Sequence, residues 1–389
     1  MKKLAFVATG YIKKYDGVSV YTENLLIELL NHKDIKKNSI KTDIYIGESV
    51  LELLKSRVLS PNVKELENIT FIPVNDKNFY LKILDLTRKM FIKGKYDLVL
   101  MTNLMPVLFA PGKKIKVIHD FSKRRFPELY TKFGLIYNLF LVKSAKKFDF
   151  AIGYISQTTQ EDMSRYFNID KNNKRLLFVP NGIPFKVKNF KRVDNEVAFE
   201  KFKQKDLHLC VVGRINKHKG FDRLLKFCTY FENSLKMGEK FDSVTLHIVG
   251  KQTKETENIF KNLKFKNINL IFHGFLDDNE LNKIYQKSHF SFFLSRNEGY
   301  GLPLIEAMWF KSVPIISNIP IFNEIMGANF PKFDDITGYE EEIEDFINSI
   351  FDDKKTLQST YRQMEVVIEK EMKGYNKAAN NLVDFLESI

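Results

Sequence analysis

Short apolar runs recur along the chain, each bounded by polar or glycine-bearing turns. They fall at Lys3–Thr9, Thr42–Ile46, Thr70–Val74, Asp97–Thr102, Lys114–Asp120, Phe150–Ser156 and Leu176–Val179, then at Leu207–Gly213, Ser243–Gly250, Ile268–Gly274 and His289–Leu294. Runs of this length read as buried strands. Between them the apolar spacing turns helical. From Val18 onward it marks Val20, Leu25, Leu26, Leu29 and Leu30, and it recurs over Leu51–Val58, Phe79–Ile92, Gln157–Tyr166, Glu280–Ser288 and Lys370–Ile389, the last interrupted at Gly374. Strands alternating with helices predict an α/β fold with parallel sheets. The polar, basic stretch Phe185–Arg192 falls between two such series and reads as a linker. It divides the chain into residues 1–187 and 193–371.

Composition narrows this. At 389 residues and 44% apolar, the chain suits two globular domains. No stretch reaches the roughly 18 apolar residues of a membrane span. The opening M-K-K-L-A-F-V-A-T-G is basic, but its apolar part is too short for a signal peptide and fits a first strand. Cys210 and Cys228 form no metal spacing and no disulfide framework. The expectation from these features is a cytoplasmic protein. The net charge of +13 is uneven: residues 1–200 carry about +14 and the remainder about −1. A basic half suits nucleic acid or an anionic membrane face. With no zinc spacing and no RNA-binding aromatic motif, nucleic acid is not expected. Within Ser122–Phe148, Lys123, Arg124, Arg125, Lys132, Lys143, Lys146 and Lys147 flank Phe126, Phe133, Ile136 and Phe140. That composition suits an interfacial helix at the inner face of the plasma membrane, contacting anionic lipid through residues 123–148. The acidic run Tyr339–Asp345 reads as a solvated helix face, and Trp309, the single tryptophan, as helix packing.

Candidate chemistry concentrates in Ser295–Pro314. A buried strand is followed by Gly299 and Gly301, then by Pro303 where a helix's first turn begins. Strand, glycine turn and helix N-terminus present backbone N–H groups and a partial positive charge to one spot, a seat for phosphate. Glu298 and Glu306 frame it. A carboxylate beside a phosphate seat is useful where it accepts hydrogen bonds from hydroxyls, which points to a sugar nucleotide.

Glu298–Met308 resembles throughout the signature E-G-[FY]-G-L-P-x-x-E-A-M of glycosyltransferase family four, retaining enzymes of the GT-B architecture. The resemblance implies two Rossmann-like domains with parallel sheets facing across a cleft, the first binding acceptor and the second the nucleotide-sugar, and a C-terminal helix at about 372–389 packing back on the first. D-G-V-S-V-Y-T-E-N-L-L is similar to G-G-V-x-x-Y-x-x-N-L-L, with Asp16 in place of the first glycine and Gly17 where backbone approaches ligand. H-D-F-S-K-R-R-F-P matches H-D-x5-7-P, whose histidine, here His119, reaches the donor sugar. Pro180–Ile183 resembles the N-G turn that closes the first domain. R-I-N-K-H-K-G supplies Arg214 and Lys219 as the pair that grips the diphosphate, where negative charge builds as the sugar leaves.

The resemblance places the base near Gly274 and Phe275, the ribose at Glu306, and the transferred sugar at Glu298 and the backbone of Gly299, Tyr300, Gly301 and Leu302. Some positions depart from the pattern: V-G-K-Q replaces V-G-x-G, and Trp309-Phe310-Lys311-Ser312 replaces small residues. The pairs Asp277-Asp278, Asp334-Asp335 and Asp352-Asp353 have no histidine or third carboxylate at ligand spacing, so no metal is expected. No cofactor is implied; a UDP- or GDP-hexose is a substrate. Retention without an evident nucleophile implies same-face attack, the leaving phosphate taking the acceptor's proton. The implied reaction is hexose transfer to a glycan or lipid-linked oligosaccharide in surface polysaccharide, lipopolysaccharide or capsule synthesis. An epimerase or phosphorylase of the same fold and a non-catalytic partner subunit are the alternatives.

Overall fold

The computed structural model describes residues 1–12, 16–59, 67–234, 239–252, 256, 257, 259, 263–334 and 338–389. Asp335, of one Asp-Asp pair, lies outside them. The chain forms two units, Met1–Pro184 with Met372–Ile389, and Phe185–Glu371.

The first unit is built on seven parallel strands: β1 (Lys2–Val7), β2 (Ile40–Gly47), β3 (Ile69–Val74), β4 (Leu98–Met101), β5 (Lys113–Ile118), β6 (Ala151–Tyr154) and β7 (Leu176–Phe178). Their order is β3-β2-β1-β4-β5-β6-β7. Helices cover such a sheet on both faces, so its strands are apolar almost continuously; Leu4–Val7 and Leu98–Met101 are wholly buried. Exceptions occur in β2, where Asp43 is buried, and in β5, where Lys114 and Lys116 are. The Lys114 and Lys116 ammonium groups lie 3.0 and 3.8 Å from the carboxylate of buried Asp149. Burial pushes the Lys116 pKa down to about 8 against Asp149's opposing pull. The flanking helices include α1 (Gly17–Asn31), α2 (Phe79–Lys93) and α3 (Lys132–Phe148).

The second unit has five parallel strands, β8 (Asp206–Val212), β9 (Ser243–Val249), β10 (Ile268–Gly274), β11 (Phe290–Phe293) and β12 (Val313–Ile316), ordered β10-β9-β8-β11-β12. Strand order reverses between β8 and β11. In open α/β sheets such a reversal leaves a crevice at the carboxyl ends of the strands, where ligands bind. Helices α4 (Phe221–Glu232), α5 (Asp278–Lys287), α6 (Leu302–Trp309) and α7 (Lys354–Glu371) belong here. The chain then enters α8 (Gly374–Ser388), which belongs to the first unit and packs on α1.

Two expectations need correcting. The stretch Phe185–Arg192 is docked on the second unit: Phe185–Lys188 is a helical turn, Phe190 O accepts the Trp309 indole N–H at 3.2 Å, and Arg192 pairs with Glu365. The acidic run is not wholly solvated. Glu344 is buried and accepts hydrogen bonds from Ser234 and Tyr230, because its helix turns that side toward α4.

Candidate functional site

The second unit's reversal point is where the charged residues meet. After β8 the backbone passes through Gly213, Arg214 and a 3-10 turn at Lys217–Lys219, capped by the Asn216 side chain, which accepts from the Lys219 N–H at 3.0 Å. Gly220 ends the turn at φ 71°, and a Cβ there would lie 1.8 Å from Leu294 O. Only glycine lets the turn seat against the end of β11. Lys219 is thereby brought beside Glu298, its ammonium 2.6 Å from each carboxylate oxygen. Ser295 Oγ donates to the same carboxylate at 2.7 Å. A fork from Arg296 to Asp222, at 2.7 and 2.8 Å, ties the two loops together. Burial alone would raise the Asp222 pKa, but the Arg296 hydrogen bond and charge prevail and lower it. Arg214 is exposed at the end of the same strand.

Beyond Glu298 the chain turns on Gly301, at φ 97°, with Pro303 in the first turn of α6. A Cβ on Gly301 would come 2.9 Å from the Phe322 ring. The Tyr300 side chain is directed inward, its hydroxyl donating to Glu371, so only its backbone faces the turn's outer side. Leu302 is likewise buried.

Glu306 is 5% exposed on α6. Tyr285 Oη donates to it at 3.4 Å, and the Lys186 ammonium lies 3.3 Å from it and 3.0 Å from Asp278. Burial would lower the Lys186 pKa, but Glu306 and Asp278 outweigh that and raise it. Burial and then Glu306 push the Tyr285 phenol well up. Lys186 is the site residue that sequence reading missed. At the edge strand β10, Gly274 takes φ 65° with open space where a Cβ would stand, and Phe275 is 74% exposed.

In the first unit His119 follows β5. Its Nε2 lies 2.7 Å from Thr102 O at the end of β4, and its ring meets Tyr21 of α1 edge-on at 4.8 Å. A carbonyl oxygen only accepts, so Nε2 carries the proton and the neutral ring offers Nδ1 as an acceptor. Burial lowers the His119 pKa despite the Thr102 hydrogen bond and the charges of Asp120 and Asp16. Asp16 caps α1 through the Ser19 N–H at 2.8 Å, and Gly17 begins the helix with no described atom within 4 Å of a Cβ position. Among the described residues, no three His, Cys, Asp or Glu side chains are grouped to hold a metal ion.

Residues 193–365 match the family model of glycosyl transferases group 1. The O-antigen chain mannosyltransferase RfbU of Salmonella typhimurium is 24% identical over 231 residues, 58% of this chain and 58% of that protein. The serotype-specific mannosyltransferase WbdA of Escherichia coli is 34% identical over 118 residues, 30% of this chain and 14% of its own length. The chain thus spans little more than half, or far less, of these relatives. Among solved structures, HepE of Anabaena, in complex with UDP and glucose, aligns over 100% of both chains at TM-score 0.68 and 15% identity. WaaG, a glycosyltransferase involved in lipopolysaccharide biosynthesis, aligns over 97% of this chain and 98% of its own at TM-score 0.68 and 13% identity. The fold of both units is therefore GT-B.

Proposed function

We propose that this chain, whose residues 193–365 match the family model of glycosyl transferases group 1, is a member of that family and moves a hexose from a nucleotide-sugar to a glycan or lipid-linked acceptor of a cell-surface polysaccharide. The observation that carries the reading is the Lys219–Glu298 pair at the strand reversal of the GT-B second unit. A lysine at that point supplies positive charge for a diphosphate, and a carboxylate fixed by Lys219 and Ser295 presents acceptor oxygens to sugar hydroxyls. Exposed Arg214 adds a fork that reaches two phosphate oxygens. Glu306 takes the ribose hydroxyls, and Gly274 with Phe275 the base. His119, neutral and accepting through Nδ1, takes a substrate hydroxyl.

The reaction is proposed to be retaining and metal-independent, with charge on the leaving diphosphate met by Arg214 and Lys219. The relatives named as mannosyltransferases support mannose as the first sugar to test, and HepE, solved with UDP and glucose, supports including UDP-glucose. The site of action is proposed to be the cytoplasm at the inner face of the plasma membrane.

A transfer assay with radiolabelled UDP- and GDP-hexoses tests the reading. Glu298→Ala, and Arg214→Ala combined with Lys219→Ala, should each lower transfer by more than about a hundredfold with an unchanged far-ultraviolet spectrum. Wild-type rates in either variant would overturn these roles.

A further inference from the structure

The first unit presents an apolar surface that its own fold does not use. On α2, Tyr80, Leu84, Phe91 and Ile92 are 83%, 67%, 53% and 70% exposed. On α3, Phe133, Ile136 and Phe140 are 78%, 67% and 48% exposed. At 100° per residue each set forms one stripe of its helix. Ring contacts join the stripes: Phe79 meets Tyr80 at 5.8 Å and Tyr137 at 6.4 Å, and Tyr137 stacks on Phe133 at 6.2 Å. Soluble chains seldom leave so continuous a patch in water.

Its charge selects what covers it. Lys132, Lys143, Lys146 and Lys147 lie on α3, which has no acidic residue. Exposed Lys143 and Lys147 continue the apolar stripe at helical spacing. On α2, Lys82 and Lys89 donate to Thr9 O and Pro73 O at 3.2 and 2.7 Å, and the single acid, Asp85, is held by Arg88 and Lys89 at 3.2 and 2.8 Å, which leaves exposed Lys93 as the helix's uncommitted charge among these contacts. A second copy seated by two-fold symmetry would set lysines against lysines. An anionic bilayer offers both a boundary for the aromatic and aliphatic tips and phosphates for the ammonium groups.

We infer that the joined faces of α2 and α3 are a docking surface for an anionic lipid bilayer. This deepens the lipid-linked reading above, keeps the Lys132–Phe148 part of the segment the sequence suggested and adds α2 to it. Arg125 is committed to Asp162, at 2.8 and 2.7 Å, and Lys146 donates to Phe167 O at 2.8 Å. The surface runs through α2 instead of back toward Lys123.

Flotation of the full chain tests this, using phosphatidylcholine vesicles with and without a third of phosphatidylglycerol. The wild type should float with the anionic vesicles and stay behind with the neutral ones. Leu84→Ser with Ile136→Ser and Phe140→Ser should cut partitioning at least tenfold, and so should Lys143→Glu with Lys147→Glu. All these side chains are exposed, so melting temperatures should hold within a few degrees. Equal flotation of the variants, equal flotation with neutral vesicles, or no flotation of the wild type would overturn the inference. So would a wild-type dimer that becomes monomeric in the variants. A thermal shift of the same variants with nucleotide-sugars reads the donor site separately, so either conclusion can fail alone.

Discussion

At the scale of single residues, the proposed donor site consists of acid–base pairs made inside the second unit. Glu306 is buried and held by Lys186, which also meets Asp278. Replacing Lys186 with Met leaves two carboxylates with no shared cation. That should cost about 2–4 kcal/mol of stability and, if Glu306 takes the ribose as proposed, raise the donor KM several-fold with little change in kcat, since such a contact is alike in ground and transition states. Steady-state kinetics alongside thermal melts checks it; a lower melting temperature with an unchanged KM would make Lys186 purely structural. Glu371 invites a second substitution. Its burial raises its pKa to about 7, although Lys370 Nζ stands 3.6 Å away and Tyr300 donates to it. The folded state thus favours the protonated carboxyl, and stability is lost as pH rises from about 4.5 through 7. Glu371→Gln keeps an acceptor for Tyr300, so it should stabilise the protein by about 1–3 kcal/mol at pH 8 and by little at pH 5. Urea titrations at both pH values measure this. That Lys219 and Glu298 come together was legible because each sits in a spaced motif, whereas Arg214, from the same motif as Lys219, is simply exposed. Lys186 was not legible, since a lysine in a basic stretch looks like any other until a contact 120 residues away selects it.

At the scale of elements, eleven of the twelve strands among the described residues were legible to within about two residues at each end, because buried parallel strands must be short and apolar; β12 was missed, since Val313–Ile316 follows directly on the α6 motif. The register between strands was not legible, and register creates a feature no single strand announces. His273 of β10, His247 of β9 and His208 of β8 fall on one face with His289, which precedes β11. His247 Nδ1 lies 2.9 Å from His273 Nε2, His247 Nε2 lies 3.3 Å from His208 Nδ1, and His289 Nδ1 accepts the His208 backbone N–H at 3.0 Å. Phe290 pairs with Leu209, so His289 stands level with His208; Cys210 pairs with His247, so the row then steps diagonally. Burial first, then neighbouring cations including Lys201 and Lys287, lowers these pKa values, to about 4 for His208 and His247 and about 3 for His289. Asp206 and Glu280 pull weakly the other way. Depressed values mean that the unfolded chain takes up protons first. Stability is complete above about pH 6.5 and should fall toward pH 4 by roughly 1.4 kcal/mol per pH unit for each buried histidine. His247→Gln should flatten that slope in urea midpoints measured between pH 7 and 4.5, and an unchanged slope would show that the row is not what titrates.

At the scale of the whole molecule, the two units differ in how the chain builds them. Phe185–Glu371 is continuous, whereas the first unit borrows its last helix from the chain's end. The Asn-Gly turn that sequence reading placed at the close of the first domain is what holds that helix. Tyr375 Oη donates to Asn181 Oδ1 at 3.0 Å, and a Cβ on Gly374 would lie 1.9 Å from Asn181 O. Further along, Asn381 donates to Phe178 O at 2.7 Å, and Tyr375, Ala378, Ala379, Leu382, Val383 and Leu386 are buried. Removing α8 returns those side chains to water and exposes the face of α1 beneath them, a loss of roughly 5–10 kcal/mol. Domains are stable by about 5–15 kcal/mol, so truncation before Met372 should leave the first unit without a cooperative transition. The second unit keeps its sheet, its core and both acid–base pairs. An excised fragment of residues 185–371 should therefore melt cooperatively in calorimetry and bind the nucleotide-sugar within about tenfold of the full chain, because Lys219 meets Glu298 and Lys186 meets Glu306 inside it. If that fragment melts without a transition while the truncated first unit stays folded, the assignment of a self-sufficient donor unit and a dependent first unit is reversed.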